Sequence, residues 1–444
     1  MRRYSVANKF LILGFSCLLL SISFGLTASL QYLFPHFLID QFSFQKTRPL
    51  HVFLAISWIF ASVSGIMYKY ISVFANRPLY SPRLAGIHFA LQFTTILIVV
   101  SGFCLGHFSG REYLEFPPWV TIIIIVYWVL FAINFFATVN WKLSVSPVYY
   151  WMWCTGMIFF LITIVEAQLW LLPYFNNNIV RDVTVQWKAN GSMVGAWNML
   201  IYGSAMYAME QITGDKNIGH QKKSFAFYFL GLTNLMFNWG HHTYIVPANP
   251  IIRQVSYIIS MTELVLLANI MITWSASFKK APVAGYNLTY QFFRTVDVWV
   301  LLNLVLAIAI SIPYINQYTH GTQITVAHAM GATIGINTLL LMGCITFLYE
   351  KQLNTYSQKT INLGLKVIHV SLFFFWLSLI AAGITRSIAL RQHNYFAQLS
   401  ERVLPYLKFF SISGFFLIIG ICLISLTYIR IFLSGKSQDH NGGG

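Results

Sequence analysis

Four histidines, His51, His241, His242 and His328, stand in or at the edge of long apolar runs, together with Met330 and Glu263. Imidazole is the commonest metal and heme ligand, and a methionine thioether is a known axial ligand that favours reduced iron. Residues two apart on an α-helix point about 200° from each other, so a helix carrying His328 and Met330 could ligate two hemes on opposite faces. The adjacent His241 and His242 point about 100° apart, and both reach one ion only when it sits between them and other helices complete the shell. Glu263 lies about twelve residues into its apolar run with no basic residue within two turns of it, so it must be protonated, paired or metal-bound. Singly, each has a plainer role as a hydrogen-bonded core histidine or a packing methionine. Together they point to hemes and a metal held inside a helical bundle.

The elements that position these side chains follow from the solvent. Of 444 residues, 57% are hydrophobic and 9% charged, with mean hydropathy +0.64, whereas a soluble domain carries about 25% charged residues. Apolar runs of the length that crosses a bilayer predict an all-α membrane bundle of twelve spans in one domain, 1–444. The spans fall near 9–34, 50–74, 84–106, 118–140, 147–173, 187–209, 224–247, 251–276, 296–314, 324–349, 362–386 and 406–433. Residues 9–34 exceed the apolar core of a signal peptide and read as the first span.

With the N-terminus cytoplasmic, 18 of the 28 Lys and Arg fall inside, among them Arg2, Arg3, Arg77, Arg83, Lys222, Lys223, Lys279 and Lys280, as the positive-inside rule requires. In that topology His51, His241, His242 and His328 share one depth toward the outer face. His88 and His369 enter from the opposite side. The net charge of +16 is scattered through short loops rather than gathered into a stripe, which argues against nucleic acid. Cys17, Cys104, Cys154, Cys344 and Cys422 all lie in apolar runs without CxxC spacing, so core packing is their expected role. Glu166 is a second acid within a span, without neighbours that make a site.

At these residues the chain resembles the catalytic subunit of cytochrome c-dependent nitric oxide reductases, within the heme-copper oxidase superfamily. The resemblance runs from His51, Trp58, Gly65 and Tyr68 through Gly110-Arg111-Glu112-Tyr113-Leu114-Glu115 and Ile212-Thr213-Gly214. It continues through Gly240-His241-His242, Glu263 and Tyr318-Thr319-His320-Gly321-Thr322-Gln323. It implies two b-type hemes, with His51 on the low-spin heme and His328 proximal on the high-spin catalytic heme. His241 and His242, aided by Glu263, would bind a non-heme iron or other metal. Glu112 would help hold a calcium ion, and His320 would lie beside the heme propionates. The implied setting is the bacterial cytoplasmic membrane. The implied electron donor is a membrane-anchored cytochrome c subunit, because the long N-terminal region of quinol-fed relatives is not expected here.

Four positions depart from that pattern. Met330 stands where the family has the second histidine of the low-spin heme. Asn190 stands for the third histidine of the non-heme metal, and Val194 and Asn198 replace two glutamates that follow it. An amide oxygen is a harder, weaker ligand than imidazole. The leading expectation is reduction of two NO to N2O and water. An oxygen reductase of the same superfamily would normally need a tyrosine beside the metal ligands, and Val194 removes one place for it. An NO-dismutating variant and a non-catalytic heme protein that binds NO or relays electrons are further alternatives. A twelve-span transporter would show internal repeats, and none is evident.

Overall fold

The computed structural model describes residues 5–139, 146–262, 285–392 and 396–434. The expected span 251–276 therefore leaves the described residues after 262. Glu263, the basic residues Arg2, Arg3, Lys279 and Lys280 and the tail after 434 lie outside them as well.

Among the described residues the chain is helical, with no strand beyond one isolated bridge between Arg111 and Leu114. The principal helices are α1 (Val6–Leu33), α2 (Phe44–Phe74), α3 (Pro82–Cys104), α4 (Trp119–Thr138), α5 (Val148–Glu166) and α6 (Ile179–Thr213). They are followed by α7 (Lys222–Phe237), α8 (250–262), α9 (Asn287–Ser311), α10 (Gln323–Gln352), α11 (Thr355–Arg391) and α12 (Phe396–Ser434). Nine of these are long and apolar enough to cross a membrane. Of the other three, α6 has 35 residues but is more polar, α7 has only 16, and α8 meets the edge of the described chain.

Several helices start before the apolar run that predicted them. The run marks the bilayer-thick part, whereas the helix continues until a cap stops it. Thus α2 begins at Phe44 rather than 50, taking in Lys46 and Arg48. Helix α6 begins at Ile179 rather than 187, because the Asn178 side chain accepts from the N–H of Val180 and Arg181 at 3.0 and 3.2 Å. It closes on Gly214 in the left-handed conformation, φ 68°, where glycine carries no side-chain penalty.

The bundle closes on itself: α1 packs against α2 and α12, α11 against α12, and α5 against α6. Tyr428 of α12 stacks on Phe15 of α1 with centroids 5.6 Å apart, and its hydroxyl donates to Thr346 of α10 at 2.7 Å. Lipid offers no partners, so each buried polar group must be satisfied inside the protein. Trp58 of α2, for instance, donates to Thr338 Oγ1 of α10 at 3.1 Å.

Helix α10 is composite: an α-helical start Gln323–Met330, a π-helical stretch Gly331–Thr338, and α-helix again over Leu339–Tyr349. A π segment of eight residues is rare, and such segments concentrate at functional sites. This one begins directly after Met330.

Candidate functional site

A cavity of about 640 Å³ runs along the bundle, and His51, Asn190, His241, His242, His328 and Met330 all line it. Four helical elements distant in sequence thus present their candidate ligands to one space. His88 and His369 do not line it. His88 is buried among Phe10, Tyr127 and Phe131, with its Nδ1 3.0 Å from the Tyr68 hydroxyl.

His51 stands two turns into α2. Its Nδ1 lies 2.8 Å from the carbonyl oxygen of Ser21 on α1, and the Ser21 hydroxyl donates to the His51 carbonyl at 2.8 Å. A ring that donates Nδ1–H to that carbonyl keeps Nε2 free as a ligand, the outer-shell arrangement that orients metal-bound histidines. Gly25, one turn beyond Ser21, makes room for it. A Cβ at this position would come within 2.8 Å of His51 Nδ1.

His328 and Met330 occupy the short α-helical start of α10, which Thr322 caps by accepting from the Ile324 N–H at 3.3 Å. Met330 is half-buried against the core, and His328 Nδ1 is buried without a protein partner.

His241 and His242 are not on the helix that was expected to carry them. Helix α7 stops at Phe237, and the pair lies on a 3₁₀ turn, Asn238–Thr243. The tighter winding, three residues per turn, separates neighbours by about 120°. The turn is held from α8, whose Ser256 donates to the Asn238 carbonyl at 3.1 Å and Ser260 to Asn238 Oδ1 at 2.6 Å. His241 Nδ1 lies 3.2 Å from the same Asn238 Oδ1, which directs its other nitrogen to ligation. The two imidazole centroids are 4.2 Å apart.

His242 is positioned differently. Its Nδ1 has no protein partner, and the indole of Trp187 from α6 stacks on its ring at 4.5 Å and 9°. Trp187 also meets His320 edge-on at 6.1 Å and Tyr113 at 6.3 Å. Sequence reasoning assigned Trp187 and Asn238 no role. Asn238, three residues before His241, carries a weak signal for such a turn, and Trp187 carries none.

Asn190 lies twelve residues into α6, rather than three as the shorter span implied. Its amide nitrogen donates to the Glu112 carbonyl at 3.4 Å, so Oδ1 is the atom left to act as a ligand. The Glu112 carboxylate lies 3.5 Å from Arg48, which also binds Glu115 at 2.6 Å. Burial raises the Glu115 carboxyl above its usual range, with Arg48 opposing. Burial lowers the His320 imidazole, with Glu112 opposing, and His320 Nε2 is buried without a partner 6.2 Å, ring to ring, from His242. Glu166, expected to lack a functional neighbour, is ion-paired with Lys188 of α6.

Among the described residues no three His, Cys, Asp or Glu side chains form a metal-binding group. His241 and His242 supply two imidazoles, and Glu263 falls outside the described residues. The residues expected to hold hemes fit better: a roomy, mostly apolar space, an oriented His51, and an orphaned nitrogen on His328 within its wall.

The family model for cytochrome c and quinol oxidase polypeptide I matches residues 5–416, and the chain belongs to that family. It is 25% identical over 370 residues to a nitric oxide reductase subunit from Stutzerimonas stutzeri, covering 77% of this chain and 74% of the relative. It is 23% identical over 381 residues to the cbb3-type cytochrome c oxidase subunit CcoN1 of the same organism, covering 81% and 78%. A heme-copper terminal oxidase dimer solved by electron cryomicroscopy shares the fold, with a TM-score of 0.77 at 13% identity, covering 98% of this chain and 84% of that one.

Proposed function

We propose that this member of the cytochrome c and quinol oxidase polypeptide I family is a nitric oxide reductase-like catalytic subunit in a bacterial cytoplasmic membrane. Two NO, two electrons and two protons would give N2O and water: one N–N bond forms and one N–O bond breaks. The observation that carries this reading is the single cavity lined at once by His51, Met330, His328, His241 and His242. His51 and Met330 would hold a low-spin b-type heme, His328 a high-spin b-type heme, and His241 with His242 a non-heme iron or other metal. Asn190 Oδ1 and Glu263 are the further ligands proposed for that metal. Bound there, the metals would supply electrons and polarise the nitrogen oxides.

The chain's own residues contribute geometry and field. The Ser21 carbonyl and Asn238 Oδ1 hold the rings of His51 and His241 in one orientation. The mostly apolar wall suits uncharged NO and excludes bulk water. Glu112 and Arg48 form a charged outer rim, where a calcium ion and heme propionates with His320 are the proposed occupants. A membrane-anchored cytochrome c subunit is the proposed donor.

The cbb3-type relative favours oxygen reduction as a second reading. Against it, no tyrosine stands among the ring contacts of His241 or His242 in the described residues. Purified protein should contain two hemes and one further metal, and under reductant it should consume NO and release N2O. Oxygen consumption without NO loss would replace the proposal with the oxidase reading. Hemes without either turnover would leave an electron relay.

A further inference from the structure

Helix α6 meets α7 and the histidine turn through glycines. A Cβ on Gly191 would lie 2.6 Å from Trp239 Cβ, one on Gly195 2.6 Å from Leu235 Cβ, and one on Gly231 2.9 Å from Met199 Cε. Gly191 and Gly195 have the small-residue spacing that lets membrane helices approach backbone to backbone. The Ser192 hydroxyl adds a bond to the Leu235 carbonyl at 2.9 Å. These contacts pair 191 with 239, 195 with 235 and 199 with 231, so the two segments run antiparallel in a fixed register.

An asparagine stands immediately before four of these contact positions: Asn190, Asn198, Asn234 and Asn238. All four line the histidine-bearing cavity, so they flank the same side of the seam. The register sets Asn238 beside Ser192, about 3 Å along α6 from the level of Asn190, and Asn234 beside Ala196, equally close to the level of Asn198. The amides therefore form two pairs, about 12 Å apart along α6 at about 1.5 Å per residue. The upper pair is committed to the site. Asn190 donates to the Glu112 carbonyl, and Asn238 Oδ1 accepts from Ser260 and lies 3.2 Å from His241 Nδ1. In the lower pair, Asn198 Oδ1 is buried and has no hydrogen-bond partner among the described residues.

Among the described residues that α6, α7 and the histidine turn give to the cavity, none is acidic, and the one Lys or Arg is Lys223. Val194 and Asn198 bring no charge at the two places where the family resemblance led to glutamates. An amide N–H donates, and a hydrogen bond to an anion is about twice as strong as one between neutral groups. We propose that Asn198 and Asn234 form a subsite for a small nitrogen oxyanion, nitrite being the type, which enters this cavity beside NO. The subsite rests on the reading of the cavity as a nitrogen oxide site. The anion's oxygens accept from the two amides, and the uncharged wall spares it repulsion. At an effective dielectric of about 20, a unit charge about 10 Å away changes affinity by about fifteenfold. A carboxylate on this wall would therefore repel an anion without touching it.

The test is a calorimetric titration of the purified, oxidised holoprotein with sodium nitrite. CO binding to the reduced protein serves as the control for an intact high-spin site. The wild type should bind nitrite saturably. Asn198→Leu and Asn234→Leu should each weaken binding by about tenfold to a hundredfold, the loss expected for a hydrogen bond to a charged group. Asn198→Asp, which keeps the shape and adds a negative charge, should weaken it at least as much. Asn198→Gln, which keeps the amide, should retain most of the affinity. CO carries no charge and should bind all of these variants alike. Nitrite binding that is absent from the wild type, or equally strong in Asn198→Leu and Asn198→Asp, would overturn the proposal. A wild-type protein that does not bind CO would overturn the functional reading instead, while the calorimetric comparison would still decide the subsite.

Discussion

The indole of Trp187 lies flat against the imidazole of His242, with centroids 4.5 Å apart and planes inclined by 9°. His241 is held by a hydrogen bond to Asn238, whereas His242 has no such partner and relies on this stacking for its orientation.

Trp187→Ala should therefore weaken the third metal by about tenfold or more, the usual effect of losing a group that orients a ligand. Trp187→Phe, which keeps an aromatic face, should retain most of it. Metal content per heme in the three proteins checks this. Equal content throughout would make the stacking incidental.

Gly25→Val should displace the His51 ring, because even a Cβ at that position would lie 2.8 Å from Nδ1. The low-spin heme spectrum should fall as it does in His51→Ala. Ser21→Ala should keep the heme, since the shorter contact to Nδ1, 2.8 Å, is with the backbone carbonyl, which the substitution leaves in place, and the hydroxyl stands at 3.2 Å. A full low-spin spectrum in His51→Ala would sink the assignment.

Met330→His should lower the midpoint potential of the low-spin heme and abolish the weak charge-transfer band at the red end of the oxidised spectrum. Thioether ligation raises the potential relative to imidazole. A redox titration that gives the same potential for both proteins would leave Met330 as packing.

Asn190→His should raise occupancy of the third metal, since imidazole suits iron better than an amide. Asn190→Ala should lower it, and it also removes the hydrogen bond to the Glu112 carbonyl. Iron content and NO turnover in the three proteins decide the matter. Identical values would put Asn190 outside the metal shell.

Much of the site was legible in the sequence because membrane burial makes polar residues conspicuous. His51, His241, His242 and His328 stood out against apolar runs, and they do line one cavity. The helices were legible for the same reason, since hydropathy over about 20 residues is a local property that needs no knowledge of neighbours. Their ends were less so. Asn178 lengthens α6 through a cap that lies outside the apolar run.

What the amino-acid order alone determined is therefore the helical bundle and the candidate ligands that line its cavity. Tertiary structure decided how those ligands are held. The 3₁₀ turn under His241 and His242 depends on serines of α8 that bond Asn238, and the tautomer of His51 depends on a carbonyl of α1. Asn190 spends its N–H on a loop 78 residues away. The π segment after Met330 packs so closely on α9 that Asn303 Oδ1 lies 2.5 Å from where a Cβ on Gly331 would sit. Each of these is a short-range bond or contact between segments far apart in the chain. Periodicity and composition report only on neighbours in sequence, so these pairings became defined only when the helices packed.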